Sequence, residues 1–465
     1  MYFIYSWRKE VMPNPKFFDR TRFVVLFLGL LTIICTYTNY TCINFTVICM
    51  KDVIVDQKVG NETHWLENPS QTSLVFSSAA FGAILGLLPS VPLTSRFGIR
   101  NILSTYGLLS SVATILIPTA VHFGFAPVLM ARVLQGFGAS ILYSSIGPIS
   151  EGWSPISEIS TYVAFLSAGF QVSNIFSQPV SGILCDSTYG WRSIFYIYGG
   201  IGFMVTLCFY SFFRDSASMH KNVSQKELHK ISNGREPITT TSRRNVPYWA
   251  MTKDKVVLAI WASSIGGNVA VSTLMTYGPT YLSKVLGMEI KETGFNNMIP
   301  YILAATVKFI AGPLSDHLTV IPDTWRMVFF AAISEGGMAI GLFVMAWTRV
   351  RLIAQIAYTT SIVLAGINIV GIVKCAQLVT RQYTQFVMAV ISLTAWIGIF
   401  LLPIIIGWAC PTNSVEEWSN FLFGLGCWII VMNIAFPFVV TTKPAEYTKP
   451  DWKNGNKVKM AEEAC

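Results

Sequence analysis

The stretch FAPVLMARVLQGFGASILYSSIGPIS, residues 125–150, decides the reading of this chain. Over its whole length it carries one charge, Arg132. A helix rises about 1.5 Å per residue and a bilayer core is roughly 30 Å thick, so this run is long enough to span a membrane. Working outward, comparable runs with one charge or none recur at 23–50, 72–95, 101–121, 159–185, 193–213, 256–283, 293–315, 327–348, 352–373, 382–410 and 419–442, which makes twelve in all. Lipid supplies no water to the backbone, so continuous apolar runs of this length read as helices. A membrane β-barrel would show short alternating segments instead. The sequence therefore predicts an all-α membrane protein with twelve transmembrane helices.

Composition agrees. Of 465 residues, 52% are hydrophobic and only 12% charged, against about one quarter charged in soluble proteins. The net charge of +9 is unevenly placed. Arg8, Lys9, Lys16, Arg20 and Arg22 precede the first run, and Lys and Arg recur at 214, 221, 226, 230, 235, 243, 244, 253 and 255, between the sixth and seventh. The alternate loops 51–71 and 411–418 hold few. This positive-inside bias puts both termini and the central loop in the cytoplasm. The basic excess thus reports orientation, with some attraction to anionic lipid, and not a nucleic-acid partner. Residues 1–20 are too polar for the apolar core of a signal peptide, so the first span starts insertion itself. No acidic dileucine address is evident, which favours the plasma membrane over lysosome or vesicle.

Topology sorts the smaller motifs. Asn61-Glu62-Thr63 is a glycosylation sequon in the first outer loop. The other three matches, at Asn39, Asn44 and Asn222, fall inside a span or on the cytoplasmic side. Cys35, Cys42, Cys49, Cys208 and Cys427 lie within spans and read as small apolar residues. Cys185 and Cys410 both fall near the outer face, where a bridge between them is feasible.

The polar stretch 215–255 divides the spans six and six. The chain therefore reads as a cytoplasmic N-terminus 1–22, a six-helix domain 23–214, a linker 215–255, a second six-helix domain 256–442 and a cytoplasmic tail 443–465. Within the linker, SQKELHKI fits either an amphipathic surface helix or a solvated loop. A weak repeat relates the halves: Pro92, Leu93, Thr94, Ser95 and Arg96 line up with Pro313, Leu314, Ser315, Asp316 and His317, each set after the second span of its half. Transporters are commonly built from such repeats, with a midplane site between them.

These residues carry a resemblance. PLTSRFGIRN (92–101) resembles the loop signature of the major facilitator superfamily, Gly-x-x-x-Asp-Arg-x-Gly-Arg-Lys, at Arg96, Gly98 and Arg100. Ser95 replaces its Asp, and the second copy keeps Gly312 and Asp316. RVLQGFGASILYSSIGPISEGWSP (132–155) is similar to the fourth span of the anion/cation symporter family, the family of sialin, the vesicular glutamate transporters and the sodium–phosphate cotransporters. The shared positions are Arg132, Leu134, Gln135, Gly136, Tyr143, Trp153 and Pro155, with Glu158 next. QPVSGILCDSTYGWRSIFYIYGG (178–200), VPYW, GPTY and EEWSNFLF fit the same family. The departures concern function. Family arginines of the first and seventh spans fall on Tyr40 and Gly267, a glutamate and a histidine of the fourth on Ala139 and Gly147, and an acidic residue of the tenth on Gln377, with Arg381 kept.

Three charges lie inside spans: Arg132, Lys308 and Glu335. Each costs roughly 2.5–3.5 kcal/mol at the bilayer centre, which makes each a functional candidate. The planar fork of Arg132 suits a carboxylate or phosphate; its alternative is pairing with backbone carbonyls or another helix. Lys308 is near enough to the cytoplasmic end of its span to snorkel. Glu335 either exchanges a proton or binds a cation, or it pairs with Lys308. Gln135, Tyr143, Asn268 and Asn368 line a polar path or make interhelical hydrogen bonds. Arg96, Arg100, Glu158 and Asp316 are expected at the cytoplasmic face, where the resemblance implies a gate. His122, between the third and fourth spans, is expected to be exposed.

No P-loop, zinc cluster or GxSxG nucleophile is present, so the sequence reads as a non-enzyme without cofactor or metal. The resemblance implies a monomeric secondary transporter of a small anion, an organic carboxylate or phosphate, coupled to sodium or protons. The rivals are a transport-inactive receptor or scaffold, and a transporter of a neutral solute that keeps Arg132 for structure.

Overall fold

The computed structural model describes residues 19–50, 52–54, 64–155, 158–232, 247–317 and 322–448. Asn61 lies outside them, as do the side chains of Lys308 and Asp316. Among the described residues nine helices are long and apolar enough to cross a membrane: α1 Thr21–Thr46, α2 Pro69–Ser90, α3 Arg96–Phe123, α4 Phe125–Trp153, α6 Gly190–Phe212, α7 Lys255–Val285, α9 Thr324–Trp347, α11 Phe386–Ala409 and α12 Val415–Val439. Three further segments complete the expected twelve. These are α5 (Ile159–Ser167 and Gly169–Asp186), α8 (Ile290–His317) and α10 (Arg351–Ala365, Ile369–Val373 and Lys374–Thr380).

Several spans are less regular than unbroken apolar runs imply. Helix α4 turns at Ser140–Ile141, where the Ser140 hydroxyl bonds the Phe137 carbonyl at 2.7 Å. Such back-bonding bends helices. Helices α7, α9 and α10 each contain a π-helical turn, at Tyr281–Val285, Ala332–Gly336 and Ile369–Val373.

Close packing rests on small residues. A Cβ on Gly86 of α2 would come within 2.7 Å of the Phe137 carbonyl of α4. One on Gly138 of α4 would come within 2.6 Å of the Ser110 Cβ of α3 and 2.5 Å of the Tyr106 carbonyl. Gly82, one helical turn before Gly86, meets the backbone of Val133 in the same way. Lipid supplies no hydrophobic drive between helices, so such backbone-to-backbone approach is what holds them.

The α2–α3 turn shows why the loop signature has a glycine. Gly98 takes a left-handed φ of 80°. The Asp215 carboxylate lies where its Cβ would be and accepts from the Arg100 amide at 2.8 Å. Arg100 also donates from Nε to the Tyr210 carbonyl at 2.8 Å. The start of the linker is docked as well. The Trp153 indole donates to the Arg214 carbonyl at 2.8 Å, and SQKELHKI forms the helix Gln225–Ser232 with Ile231 buried. Its Glu227 accepts from the backbone amides of Thr21 and Arg22 at 3.3 and 2.8 Å, capping α1.

The described chain forms two compact units. One comprises Met1–Tyr40, Gly82–Ser173 and Arg192–Thr240; the other comprises Thr41–Phe81, Asn174–Trp191 and Thr241–Cys465. The boundary follows contacts and crosses α1, α2 and α5. Inside the second unit, the Ser77 hydroxyl donates to the Phe400 carbonyl at 2.7 Å, and the Asn297 amide to Gln178 Oε1 at 2.9 Å. The same unit holds a disulfide, Cys49–Cys185, with Cα atoms 6.0 Å apart. This corrects two expectations: Cys49 is not merely a small apolar residue, and the partner of Cys185 is not Cys410, which is free and buried. The pairing follows from the packing of α1 against α5, which linear position does not reveal.

Two outcomes follow. Gly138→Ala should cost about 1–3 kcal/mol by overpacking and lower the melting temperature of the detergent-purified protein. Gly147→Ala, with nothing within 4 Å of its Cβ, should leave that temperature unchanged or raise it. Non-reducing peptide mapping should recover Cys49 linked to Cys185, with Cys410 alkylated only after unfolding.

Candidate functional site

The first unit gathers polar groups around Arg132. This residue is 1% exposed. Its Nη1 donates to the Tyr40 carbonyl at 3.0 Å and to Gln135 Oε1 at 2.7 Å. Gln135 in turn donates to the Thr114 hydroxyl at 2.8 Å. The guanidinium carbon stands 5.7 Å from the Tyr40 ring centroid, so the aromatic ring occupies the position where the resemblance places another arginine. Around this core, Asn39 donates to the Ser111 hydroxyl at 3.2 Å, and Thr38 and Ser173 share a hydroxyl–hydroxyl bond of 2.7 Å. Four helices, α1, α3, α4 and α5, thus converge on one buried polar patch. Arg132 and Gln135 lie one turn apart on α4, the spacing that puts two side chains on one face.

An aromatic wall adjoins the patch. Tyr143 stacks on Phe170 with centroids 4.1 Å apart and planes at 17°. Phe170 meets Tyr37 edge-on at 5.0 Å, and Tyr37 lies 6.1 Å from Tyr40. Tyr143 is 60% exposed, in contrast to Arg132. The structure therefore joins Arg132, Gln135 and Tyr143 through residues that sequence reasoning missed: Tyr37, Asn39, Thr114 and Phe170. Their only signal was polar or aromatic character at positions scattered over three spans.

Asn268 and Asn368 belong to the second unit. Asn268 is half-buried. Asn368 donates to Glu335 Oε1 at 2.6 Å, so it meets the acid of its own unit. Glu335 is 2% exposed and sits in the π-helical turn of α9. A Cβ on Gly267 of α7 would come within 2.8 Å of its Oε2. The carboxylate thus fills space left by the glycine that stands where the resemblance calls for an arginine. Glu335 also borders a pocket of ≈ 220 Å³ between α9 and α12, where Asn433 is the other polar residue. Asn433 bonds Ser263 and the Ile429 carbonyl. Among the described residues Glu335 meets the amides of Asn368 and Asn433 and no cation, and the side chain of Lys308, its expected partner, lies outside them.

The expected gate residues separate likewise. Glu158 pairs with Arg22 at 3.5 Å and with Lys230 of the linker helix at 3.0 Å. Arg96 is exposed and stands 5.4 Å from the Phe97 ring centroid. Arg100 is engaged with Asp215 and Tyr210. Glu158 therefore joins α1 and the linker within one unit and does not meet the signature arginines. His122 is exposed, as expected.

The comparisons with known proteins bear on this arrangement. A model of the Major Facilitator Superfamily matches residues 29–380. The chain belongs to the major facilitator superfamily. Among curated relatives of this transporter, the mouse sodium-dependent phosphate transport protein 1 is 26% identical over 401 residues, covering 82% of this chain and 85% of the relative. Sheep sialin is 25% identical over 390 residues, covering 82% and 77%. A putative inorganic phosphate cotransporter of Drosophila ananassae is 25% identical over 402 residues, covering 84% and 80%. These relatives match the anion/cation symporter family that the fourth-span motif resembles. The crystal structure of a D-xylose–proton symporter aligns with a TM-score of 0.67 at 16% identity, covering 90% of this chain and 98% of that one. That likeness concerns the fold alone.

The Arg132 patch has a measurable consequence for stability. Gln135→Leu removes the acceptor of Arg132 and the donor to Thr114, and should cost about 1–3 kcal/mol. The expected result is a lowered melting temperature that Thr114→Val reproduces only in part. The two losses should fail to add in the double variant, because both act on one chain of hydrogen bonds.

Proposed function

We propose that this protein is a secondary active transporter of a small anion, an organic carboxylate or inorganic phosphate, with Arg132 as the anion anchor. The observation that carries the reading is the construction around Arg132: a buried guanidinium oriented by Gln135 and bordered by hydroxyls and an accessible aromatic wall. A guanidinium held in low dielectric binds an oxyanion strongly, and its fork fits two oxygens at once. The names of the relatives, phosphate transport proteins and sialin, support the same substrate class. In this reading the two six-helix halves, 23–214 and 256–442, give alternating access to the site, with both termini in the cytoplasm. Exchanging the Tyr40 carbonyl for a substrate oxygen would open Arg132 to the anion.

One observation favours a second reading. Arg132 is fully committed to protein groups here, and Tyr40 and Gly267 stand where further arginines are expected. A neutral solute would be served by the aromatic wall alone.

Uptake of radiolabelled phosphate and a panel of organic anions into proteoliposomes separates the two. Arg132→Ala should lower anion uptake about 10- to 100-fold, the loss expected for a charge-assisted contact of 1.5–3 kcal/mol. Tyr143→Ala should raise KM with a smaller change in maximal rate. Anion uptake intact in Arg132→Ala would overturn the anchor assignment. Uptake of no anion by a folded protein would favour the neutral-solute or receptor readings.

A further inference from the structure

Glu335 is the most buried acid inside the described spans, and its surroundings are specific. Helix α7 presents Gly267 to it, α10 presents Asn368 and α12 presents Asn433, which Ser263 of α7 bonds in turn. None of these side chains is charged or titratable. Lys308 of α8, the remaining charge that the sequence puts inside a span of this half, lies outside the described side chains. One oxygen of Glu335 accepts from Asn368, while Oε2 is buried with no hydrogen-bond partner, as is Oδ1 of Asn368.

We propose that Glu335 is a proton-binding site, through which this protein takes up and releases a coupling proton. The proposal rests on the transport reading for its physiological use but not for its chemistry. A carboxylate in low dielectric with only amides and, among the described residues, no cation beside it is poorly compensated, and it is neutralised either by a proton or by a bound cation. The ligand set decides between them. A hard metal cation takes about six oxygen ligands. Here Asn433, the second amide beside Glu335, already accepts from Ser263 and donates to the Ile429 carbonyl, and the rest of the pocket wall is apolar or glycine. What is left is Glu335 Oε2 and the amide oxygen of Asn368, which is too few for a metal ion and enough for a proton. The 2.6 Å separation also fits an O–H···O bond. With the Asn368 amide turned over, a protonated Glu335 donates from Oε1 to the amide oxygen, and the uncompensated negative charge beside the unpartnered Oε2 is removed.

The backbone supplies the means of changing state. Glu335 lies in the π-helical turn Ala332–Gly336, and Asn368 immediately precedes the π-helical turn Ile369–Val373. Such turns leave the regular ladder and recur at functional sites. A shift in either one separates the carboxyl from its amide. The proton adds to a carboxyl oxygen from water on one side, forming the O–H bond, and leaves to water on the other side as the amide contact changes.

Infrared difference spectroscopy of the purified full chain, with pH stepped at constant sodium, tests this directly. The wild type should show a protonated-carboxyl carbonyl band converting to carboxylate bands, and Glu335→Gln should lack it. Lys308→Gln should keep the band. Asn368→Leu should move its midpoint by about one pH unit or more, the size of a lost hydrogen bond to a charged group; this variant keeps the test decisive if Glu335→Gln fails to fold. The absence of a titrating band in the wild type, its persistence in Glu335→Gln, or a midpoint unmoved in Asn368→Leu would each overturn the proposal. So would a band that responds to sodium at fixed pH. In proteoliposomes an inward proton gradient should accelerate uptake by the wild type and leave Glu335→Gln, still competent in solute exchange, unaffected. Failure of wild-type uptake would remove the transport reading while leaving the spectroscopic result intact.

Discussion

A buried hydrogen bond in this protein has no water to fall back on. In the hydrocarbon region each backbone and side-chain polar group finds its partner inside the protein or carries an unmet cost of several kcal/mol. The chain from Tyr40 through Arg132 and Gln135 to Thr114 answers that constraint for a cation, using a carbonyl, an amide and a hydroxyl from three helices. Glu335 answers it for an anion only in part, with amides from α10 and α12 and one oxygen left buried without a hydrogen bond. The first arrangement holds a charge in place. The second leaves room for a change of protonation.

Absent side chains do as much as present ones. Gly82, Gly86 and Gly138 bring α2, α3 and α4 into backbone contact, which packs the walls of the Arg132 patch. Gly267 leaves the space that the Glu335 carboxylate occupies. At the end of α1, Glu227 of the linker helix caps the amides of Thr21 and Arg22, and Glu158 ties Arg22 to Lys230. The ion pair to the half-exposed Lys230 contributes little by itself, since solvated pairs are worth about 0–1 kcal/mol. The cap is worth more, because otherwise orphaned helix amides receive a full charge.

Membrane helices were legible because apolar runs of span length have few other uses. The fourth-span motif was legible as family because Arg132, Gln135, Tyr143 and Trp153 lie within one short stretch. Irregularity was not. Nothing in AAISEGGMA marks a π-helical turn, and nothing in LAGINIV marks the turn that presents Asn368. The Cys49–Cys185 bridge was equally hidden, since it joins positions 136 residues apart. SQKELHKI was readable as a helix by its pattern, but its role as a cap for α1 depends on a contact more than 200 residues distant in the chain.

By itself the sequence determined the spans, their all-helical nature and the burial of Arg132 and Glu335, because the cost of exposing a backbone or a charge to lipid acts on each segment separately. Tertiary structure decided the partners. Whether Arg132 meets an acid or an amide, which amides Glu335 meets, and which cysteine Cys185 finds are properties of helix faces brought together from distant spans. Those choices turn on distances of a few ångströms between elements, and only packing sets them.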